Sequence, residues 1–593
     1  MIVVGFGLGP RTTVAREAVV VGGLLATFAG WTFLSMFWAA DAESAFNEFN
    51  RTSLYLAVLV LAVITARAGA AGRWSDGLCA GIVAIAVLAL SSRLFPALFE
   101  SRELGNFIPS ALTRLSFPVG YWNALGILVS LAVPLCLRSA LVARRPALRA
   151  LAVAVVPVLA GVVYLTSSRG AVVAVFVGIA VFLVMTDVRW AALGATMAAV
   201  AGSTLAIAVL IDRHTLVNGP LDSDLAVRQG RTAAALLIIC CLVTAGLQLV
   251  GERTLRGRFR PRPFAGWTVA GAVVLVVLVG LLLARPVTRF EEFRQPPSNE
   301  ILVASDFATA HLLSGNGSGR WQFWTAAIDE FESAPLHGRG AGSYESWWAE
   351  HASFTYFLKN AHSLYLEVLG ELGLVGFFLL VAVFTGGFVI AVRRLRVVRG
   401  QSRVTLAALT AVLAAFMAAA AIDWIWQVTV VGVVGIAALG LIVGPATLDD
   451  LGAERPVRSK RSRIAAGVGL LGVAWLLICA QAIPWLATDK IEDSQAAVRR
   501  GNLNAALKDA LDAKSLQPWA ASTYVQIALV AETRGDLEAS HHWISEAIQR
   551  NSRDWRLWLV ASRIERKSGL HEQADRSYVK ARSLNPRSPL FAR

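Results

Sequence analysis

The chain is poor in charge. Of its 593 residues only 16% are Asp, Glu, Lys or Arg, whereas 56% are hydrophobic and the mean hydropathy is +0.59. An ordinary soluble domain is about a quarter charged, so this balance points away from a soluble protein and towards an integral membrane protein. Cysteine is scarce as well. Cys79, Cys136, Cys240, Cys241 and Cys479 all fall within apolar runs, with no CxxC and no Cys/His spacing suited to a metal. Neither a disulfide framework nor a zinc site is indicated, and no cofactor is expected. No glycine-rich loop ends in Lys-Ser/Thr, which argues against a nucleotide-binding P-loop, and no carboxylate pair stands out. The N-terminus lacks a convincing small-residue cleavage site, and Arg11 and Arg16 before the first apolar run suggest an uncleaved anchor.

What the chain has in quantity is apolar runs near the roughly 20 residues that a ~30 Å hydrocarbon core requires of a helix. Thirteen qualify: 17–38, 53–66, 75–92, 119–137, 148–167, 170–186, 190–211, 232–250, 266–284, 363–392, 404–425, 428–447 and 464–486. The second and sixth are short. The expected fold is all-α, a polytopic bundle of about 12 to 13 spans.

The net charge of +15 does not indicate a nucleic-acid partner, because of where it sits. Arginines gather at alternate span ends: Arg11 and Arg16, Arg67 and Arg73, Arg138 to Arg149, Arg253 to Arg262, Arg393 to Arg403, and Arg455 to Arg463. Short cytoplasmic loops accumulate Lys and Arg, so these ends are placed inside, as is the N-terminus. The acidic connection Asp41–Glu48, the segment 286–361 and everything after residue 487 are then external, and the protein is expected in the cytoplasmic (inner) membrane. Four domains follow: 1–285 with about nine spans, an external loop at 286–361, further spans at 362–487, and an external helical tail at 488–593.

The tail carries a period. Gly501, Gly535 and Gly569 are spaced by 34 residues, as are Ala513, Ala547 and Ala581, while Pro518 and Pro586 lie two periods apart. This helix–turn–helix period resembles the tetratricopeptide repeat. Trp558, Gly569, Ala574, Tyr578, Ala581 and Pro586 stand at that family's positions, whereas Ser540 and Ser552 depart from them. With fewer than three full units, the tail is either a short helical stub or a docking element for the membrane domain or a protein partner.

Groups suited to chemistry concentrate at 286–361 and the helix that follows: Arg320, His337, Arg339, His351, Lys359 and His362. Arg169 lies in TSSRGAVV between two spans, where it either snorkels to headgroups or serves function in a compact polar patch with Thr166, Ser167, Ser168 and Gly170. Arg320 opens RWQFWTAAIDEFESAP, in which Trp321, Trp324, Ile328 and Phe331 share one helical face that is expected to lie on the membrane domain or bilayer. His362 precedes an apolar span, as either an interfacial histidine bonded to backbone or a general base. The glycine-rich PLHGRGAGSY offers flexible backbone near a diphosphate, with Arg339, Gly340 and Gly342 as substrate-binding candidates. His311, His337 and His351 read as surface residues. Asp423, in AIDWIWQ, orients a cation or caps its helix.

SRGA at Ser168–Ala171, R-x3-W at Arg320–Trp324, PLHGRGAGSY, and AHSLYLEVLGELGLVGFF at Ala361–Phe378 together resemble the O-antigen ligase and polymerase superfamily of bacterial membranes. GYWNALG at Gly120–Gly126, with Asn123, resembles the family's early polar span start; Ser363 stands where many members have Asn. The resemblance implies a glycan on a polyprenyl diphosphate, usually undecaprenyl, as donor. It implies metal-independent transfer to a hydroxyl of a glycan, lipid or protein acceptor. Arg169 and Arg320 would hold the diphosphate, His362 would accept the hydroxyl proton, and Asn123 and Asp423 would join the substrate site. A ligase and a polymerase of the superfamily remain alternatives, as does protein O-glycosylation. A transporter would favour repeated halves with broken helices, and neither is evident.

Overall fold

The structure, a computed structural model, describes residues 15–99, 113–258, 285–297, 307–448 and 460–591, together with 268, 271, 272, 274 and 275. Every regular element among these residues is helical. In chain order the first ten helices are α1 Arg16–Leu34, α2 Ala42–Thr65, α3 Ala71–Leu94, α4 Trp122–Val142, α5 Pro146–Ala154, α6 Val156–Thr166, α7 Arg169–Met185, α8 Arg189–Ile211, α9 His214–Asn218 and α10 Asp224–Arg258. The loop region holds α11 Pro286–Arg294, α12 Phe307–Leu313, α13 Arg320–Ser333 and α14 Tyr344–His351. Then come α15 Leu364–Leu395, α16 Gly400–Ala420, α17 Thr429–Val443 and α18 Lys460–Arg499, and finally the tail helices α19 Leu503–Leu516, α20 Ala521–Thr533, α21 Leu537–Arg550, α22 Trp555–Lys567 and α23 His571–Leu584.

Among the described residues ten stretches are long and apolar enough to cross a membrane, and α7 and α17 are shorter apolar helices; together these twelve match twelve of the thirteen expected spans. The remaining one, 266–284, lies outside the described residues apart from isolated positions. The expected short span at 53–66 is the second half of a 24-residue helix. Its early start has a local cause: Asp41 caps it, accepting from the N–H groups of Glu43 and Ser44.

At the centre of the bundle α4, α7 and α16 pack against one another. Small residues permit the approach, since a side chain on Gly178 would press on Pro134. Large apolar side chains such as Phe176, Ile238, Leu242 and Trp475 remain exposed on the outside, as a lipid-facing surface requires.

The change from apolar to polar sequence at residue 488 falls within one continuous helix, α18. Pro484 removes the N–H that would have bonded the Ala480 carbonyl four residues back. The Asn50 side-chain amide supplies the donor at 3.1 Å. Beyond α18 the chain folds as antiparallel helix pairs with a period of 34 residues. Gly501, Gly535 and Gly569 each adopt positive φ at the turn, where side-chain-bearing residues are disfavoured. Within the pairs, buried Ser494, Ser540 and Ser562 hydroxyls donate to the Ala506, Ala528 and Ala574 carbonyls, each twelve residues away. The tail folds back onto the rest of the chain. Glu43 accepts from the Ser522 N–H and hydroxyl, Arg553 pairs with Glu350, Arg556 with Glu345, and Thr355 donates to the Arg587 carbonyl.

Candidate functional site

One end of the bundle opens into a cavity of about 2780 Å³, between the α3–α4 and α6–α7 connections, the loop region and the α16–α17 turn. Its described lining includes six cations, Arg93, Arg114, Arg169, Arg289, Arg320 and Lys359, but a single acid, Asp222. His311 and His362 line it too. Such a surplus of positive charge attracts an anion.

Three arginines are fixed from different elements. Arg169 begins α7, where Ser168 caps the helix through the Ala171 N–H, and a side chain on Gly126 would strike Thr166 and Ala171. GYWNALG and SRGA are therefore one packing unit. The Arg169 guanidinium donates to the Ser314 and Asn316 carbonyls (2.8 and 2.6 Å) and to the Ser318 hydroxyl (2.9 Å), which ties α7 to the loop before α13.

Arg320, at the first turn of α13, donates through Nε to the Ile422 carbonyl and through Nη2 to Asp423 Oδ2, both at 2.9 Å. Asp423 is fully buried and also accepts from Tyr121, Asn123 and the Trp424 N–H. Of its two sequence roles, the structure brings out the orientation of a cation. Asp423 does not itself line the cavity, and Asn123 lines it while bonding Asp423.

Arg114 gave no sequence signal because it stands in no motif. It is buried, donates to the Thr166 and Ser167 carbonyls and lies over the Trp122 ring. Its described hydrogen-bond partners are two carbonyls and the Asn123 side-chain oxygen, with no carboxylate among them. Burial, with Arg320 and Arg169 nearby, pushes its pKa down to about 9, so at neutral pH it adds a cation that an arriving anion would neutralise.

His362 occupies the turn before α15 at φ 54, a left-handed conformation uncommon for a side-chain-bearing residue. Its Nδ1 lies 3.1 Å from the Asn360 carbonyl oxygen. A carbonyl only accepts, so Nδ1 carries the proton and Nε2 keeps its lone pair. The ring packs near Phe323 and Trp424, and burial lowers its pKa to about 4, keeping the imidazole neutral.

Other candidates lie elsewhere. Arg339 donates to the Ser333 hydroxyl, stacks over Trp347 and is outside the cavity lining. Gly340 and Gly342 are buttressed against Ala39 and Ser44, where a Cβ would approach to 2.3 and 2.5 Å. The glycine-rich segment is packed closely against the start of α2 and the residues before it. At Gly373 α15 departs from helical geometry, and the freed N–H groups of Leu374 and Val375 bond the Pro335 and Leu336 carbonyls. In return the Arg339 and Gly340 N–H groups bond the Gly370 and Glu371 carbonyls. PLHGRG and ELGLVG thus form one backbone unit behind the site.

His337 and His351 are exposed, against Trp38 and Trp347 respectively. His311, read as a surface residue, lines the cavity instead; burial and the three arginines hold its pKa near about 3. The aromatic stripe of α13 is not its most buried face. Its buried face is Phe323, Ala326, Ala327 and Glu330, turned to α14 and α15, whereas Ile328 is exposed and Trp321 packs on Phe290. Among the described residues no group of three or more His, Cys, Asp or Glu side chains is placed to hold a metal ion.

Fold and site together define a polytopic helical membrane protein with an arginine-rich cavity at one end of the bundle. The family model described as O-antigen ligase matches residues 224–381, a segment that contains Arg320 and His362, and the match supports the O-antigen ligase/polymerase superfamily. Arg169 and Asp423 stand outside the matched segment but bond to it, at Ser314 and Arg320, while Arg114 and Asn123, also outside, line the same cavity. No curated protein matches the chain.

Proposed function

We propose that the protein is a membrane glycosyltransferase of the O-antigen ligase type, moving a glycan from a polyprenyl diphosphate to an acceptor hydroxyl at the outer face of the cytoplasmic membrane. The observation that carries this reading is the convergence of Arg169, Arg320 and a neutral His362 on one cationic cavity. Arg169, Arg320 and Arg114 bind the diphosphate oxygens and stabilise the charge that develops as it leaves, without a divalent metal. His362 Nε2 accepts the acceptor hydroxyl proton. The acceptor oxygen bonds to the anomeric carbon as the bond from that carbon to the phosphate oxygen breaks. The electron pair departs with the polyprenyl diphosphate, and in-line attack inverts the anomeric centre. The helical tail, with its tetratricopeptide-like spacing, serves as a docking element for a protein partner.

The test is the size distribution of polyprenyl-linked glycans in cells carrying His362→Ala. Long chains stranded on the lipid support a ligase, and single repeat units support a polymerase of the same superfamily. An unchanged pool at normal protein level overturns both.

A further inference from the structure

The first turn of α15 carries an acid, Glu367, which the chemistry above does not use. It is buried, makes no ion pair among the described residues, and receives three neutral donors. Oε2 accepts from the Ala361 N–H at 2.7 Å; Oε1 accepts from the Asn360 side-chain amide at 3.2 Å and from the Gln427 side-chain amide. A buried carboxylate is costly, so three donors gathered on one call for a reason.

The donors belong to two different turns. Asn360 and Ala361 immediately precede His362, and the Asn360 carbonyl is the group that fixes the imidazole tautomer. Gln427 closes the Asp423–Gln427 turn through its N–H to the Trp424 carbonyl, and that turn holds Arg320 through Asp423 and the Ile422 carbonyl. From these bonds we infer that Glu367 is a positioning residue, clamping the His362 turn to the Asp423 turn so that base and diphosphate-binding arginine keep a fixed separation. The left-handed backbone of His362 gives the clamp something to resist, since such a conformation persists only where its surroundings hold it. Besides Glu367, the Trp324 indole N–H, 3.3 Å from the His362 carbonyl, restrains that turn. The inference rests on the proposed role of His362 and extends it to a group that touches no substrate.

The experiment is a double-mutant cycle on transfer by the purified full-length protein, pairing Glu367→Ala with His362→Ala. Glu367→Ala is expected to lower kcat by roughly 100-fold while donor KM moves less than about threefold, because a small misplacement of a base costs rate rather than binding. In the His362→Ala background the same substitution is expected to change residual transfer by less than about twofold. Glu367→Gln is the control for folding. Its carbonyl accepts from the Ala361 N–H, and its NH2 donates once the Gln427 and Asn360 amides turn over to present their oxygens; Gln427 Oε1 has no other partner among the described residues. This variant is expected to recover most of the lost rate. Equal effects of Glu367→Ala with and without His362 overturn the clamp, as does a Gln variant that is folded yet as slow as Ala. If His362→Ala alone retains full transfer, the base assignment fails instead, so the two readings fail separately.

Discussion

Asp423 and Arg320 form a buried ion pair at 2.9 Å in which the acid is hidden and the guanidinium reaches the cavity. The acid is the hub: Tyr121, Asn123 and the Trp424 N–H converge on the same carboxylate. Its removal orphans several buried donors at once. Asp423→Ala is expected to weaken donor binding by about 10- to 100-fold, corresponding to roughly 1.5–3 kcal/mol for a lost charged hydrogen bond. Donor KM checks this, and an unchanged KM would show that Arg320 holds its place unaided.

Arg114 and Arg339 make opposite predictions. Arg114 lines the cavity without an acidic partner among the described residues, and Arg114→Gln is expected to raise donor KM by about tenfold, the scale of one charge-assisted phosphate contact. Arg339 is engaged with Ser333 and Trp347 away from the cavity, so Arg339→Ala is expected to leave KM and kcat within about twofold. A reversed order in the two measurements would move the anion site to the glycine-rich segment.

For His362 the expected pH dependence follows from the sign of its shift. Its pKa in the folded protein, about 4, lies below the ordinary value of 6.5. The neutral ring's contribution to stability is therefore complete above 6.5 and is lost as pH falls through 4. The log of kcat/KM against pH is expected to run flat through 6.5 and to bend on the acid side close to 4. A break at 6 to 7 that disappears in His362→Ala would contradict the buried, neutral imidazole.

Glu330 has the opposite sign. It is buried under α15, accepts from the Ser343 hydroxyl, and has a second oxygen with no partner among the described residues, so burial pushes its pKa up to about 8. The folded protein then binds a proton that the unfolded chain releases above about 4.5, and stability declines as pH rises from there to about 8. Glu330→Gln is expected to raise the thermal unfolding midpoint more at pH 8 than at pH 5. Equal shifts at both pH values would mean the carboxyl is ionised in the fold.

Gly338→Ala tests the packing role of the glycine-rich segment. A Cβ there would approach the Glu371 carbonyl oxygen to 2.2 Å at a residue with φ 70, so strain is unavoidable. The expected outcome is a lower unfolding temperature, with the surviving folded protein keeping its donor KM. A raised KM in stable protein would return the segment to the substrate site.

Much of this architecture was legible because a membrane reduces the choices: apolar length announces a span, and arginine placement announces an end. Arg169 and His362 were legible as well, since each stood beside a span end in a polar setting, and Arg320 because it opens the apolar-striped helix of the loop. Three kinds of feature were not. Arg114 and His311 reach the cavity through connections whose paths no periodicity encodes. The surroundings of Arg339, Gly340 and Gly342 were not legible, because a glycine-rich turn looks the same in one dimension whether its backbone meets a ligand or another segment. Here it meets Ala39, Ser44 and the break at Gly373. The stripe on α13 pointed to Trp321 and Ile328, but the helix buries its smaller Ala326–Ala327 face because α15 comes close at Gly370.

The 40-residue helix α18 has one more implication. At 1.5 Å per residue it runs for about 60 Å, twice the ~30 Å of hydrocarbon it has to cross. The helix is braced at Asn50 near its proline, and the tail beyond it is tied to the loop region by Arg553 and Arg556. The tail is therefore held in a set position against the loop region, with the Arg587 carbonyl bonded to Thr355 on the cavity lining.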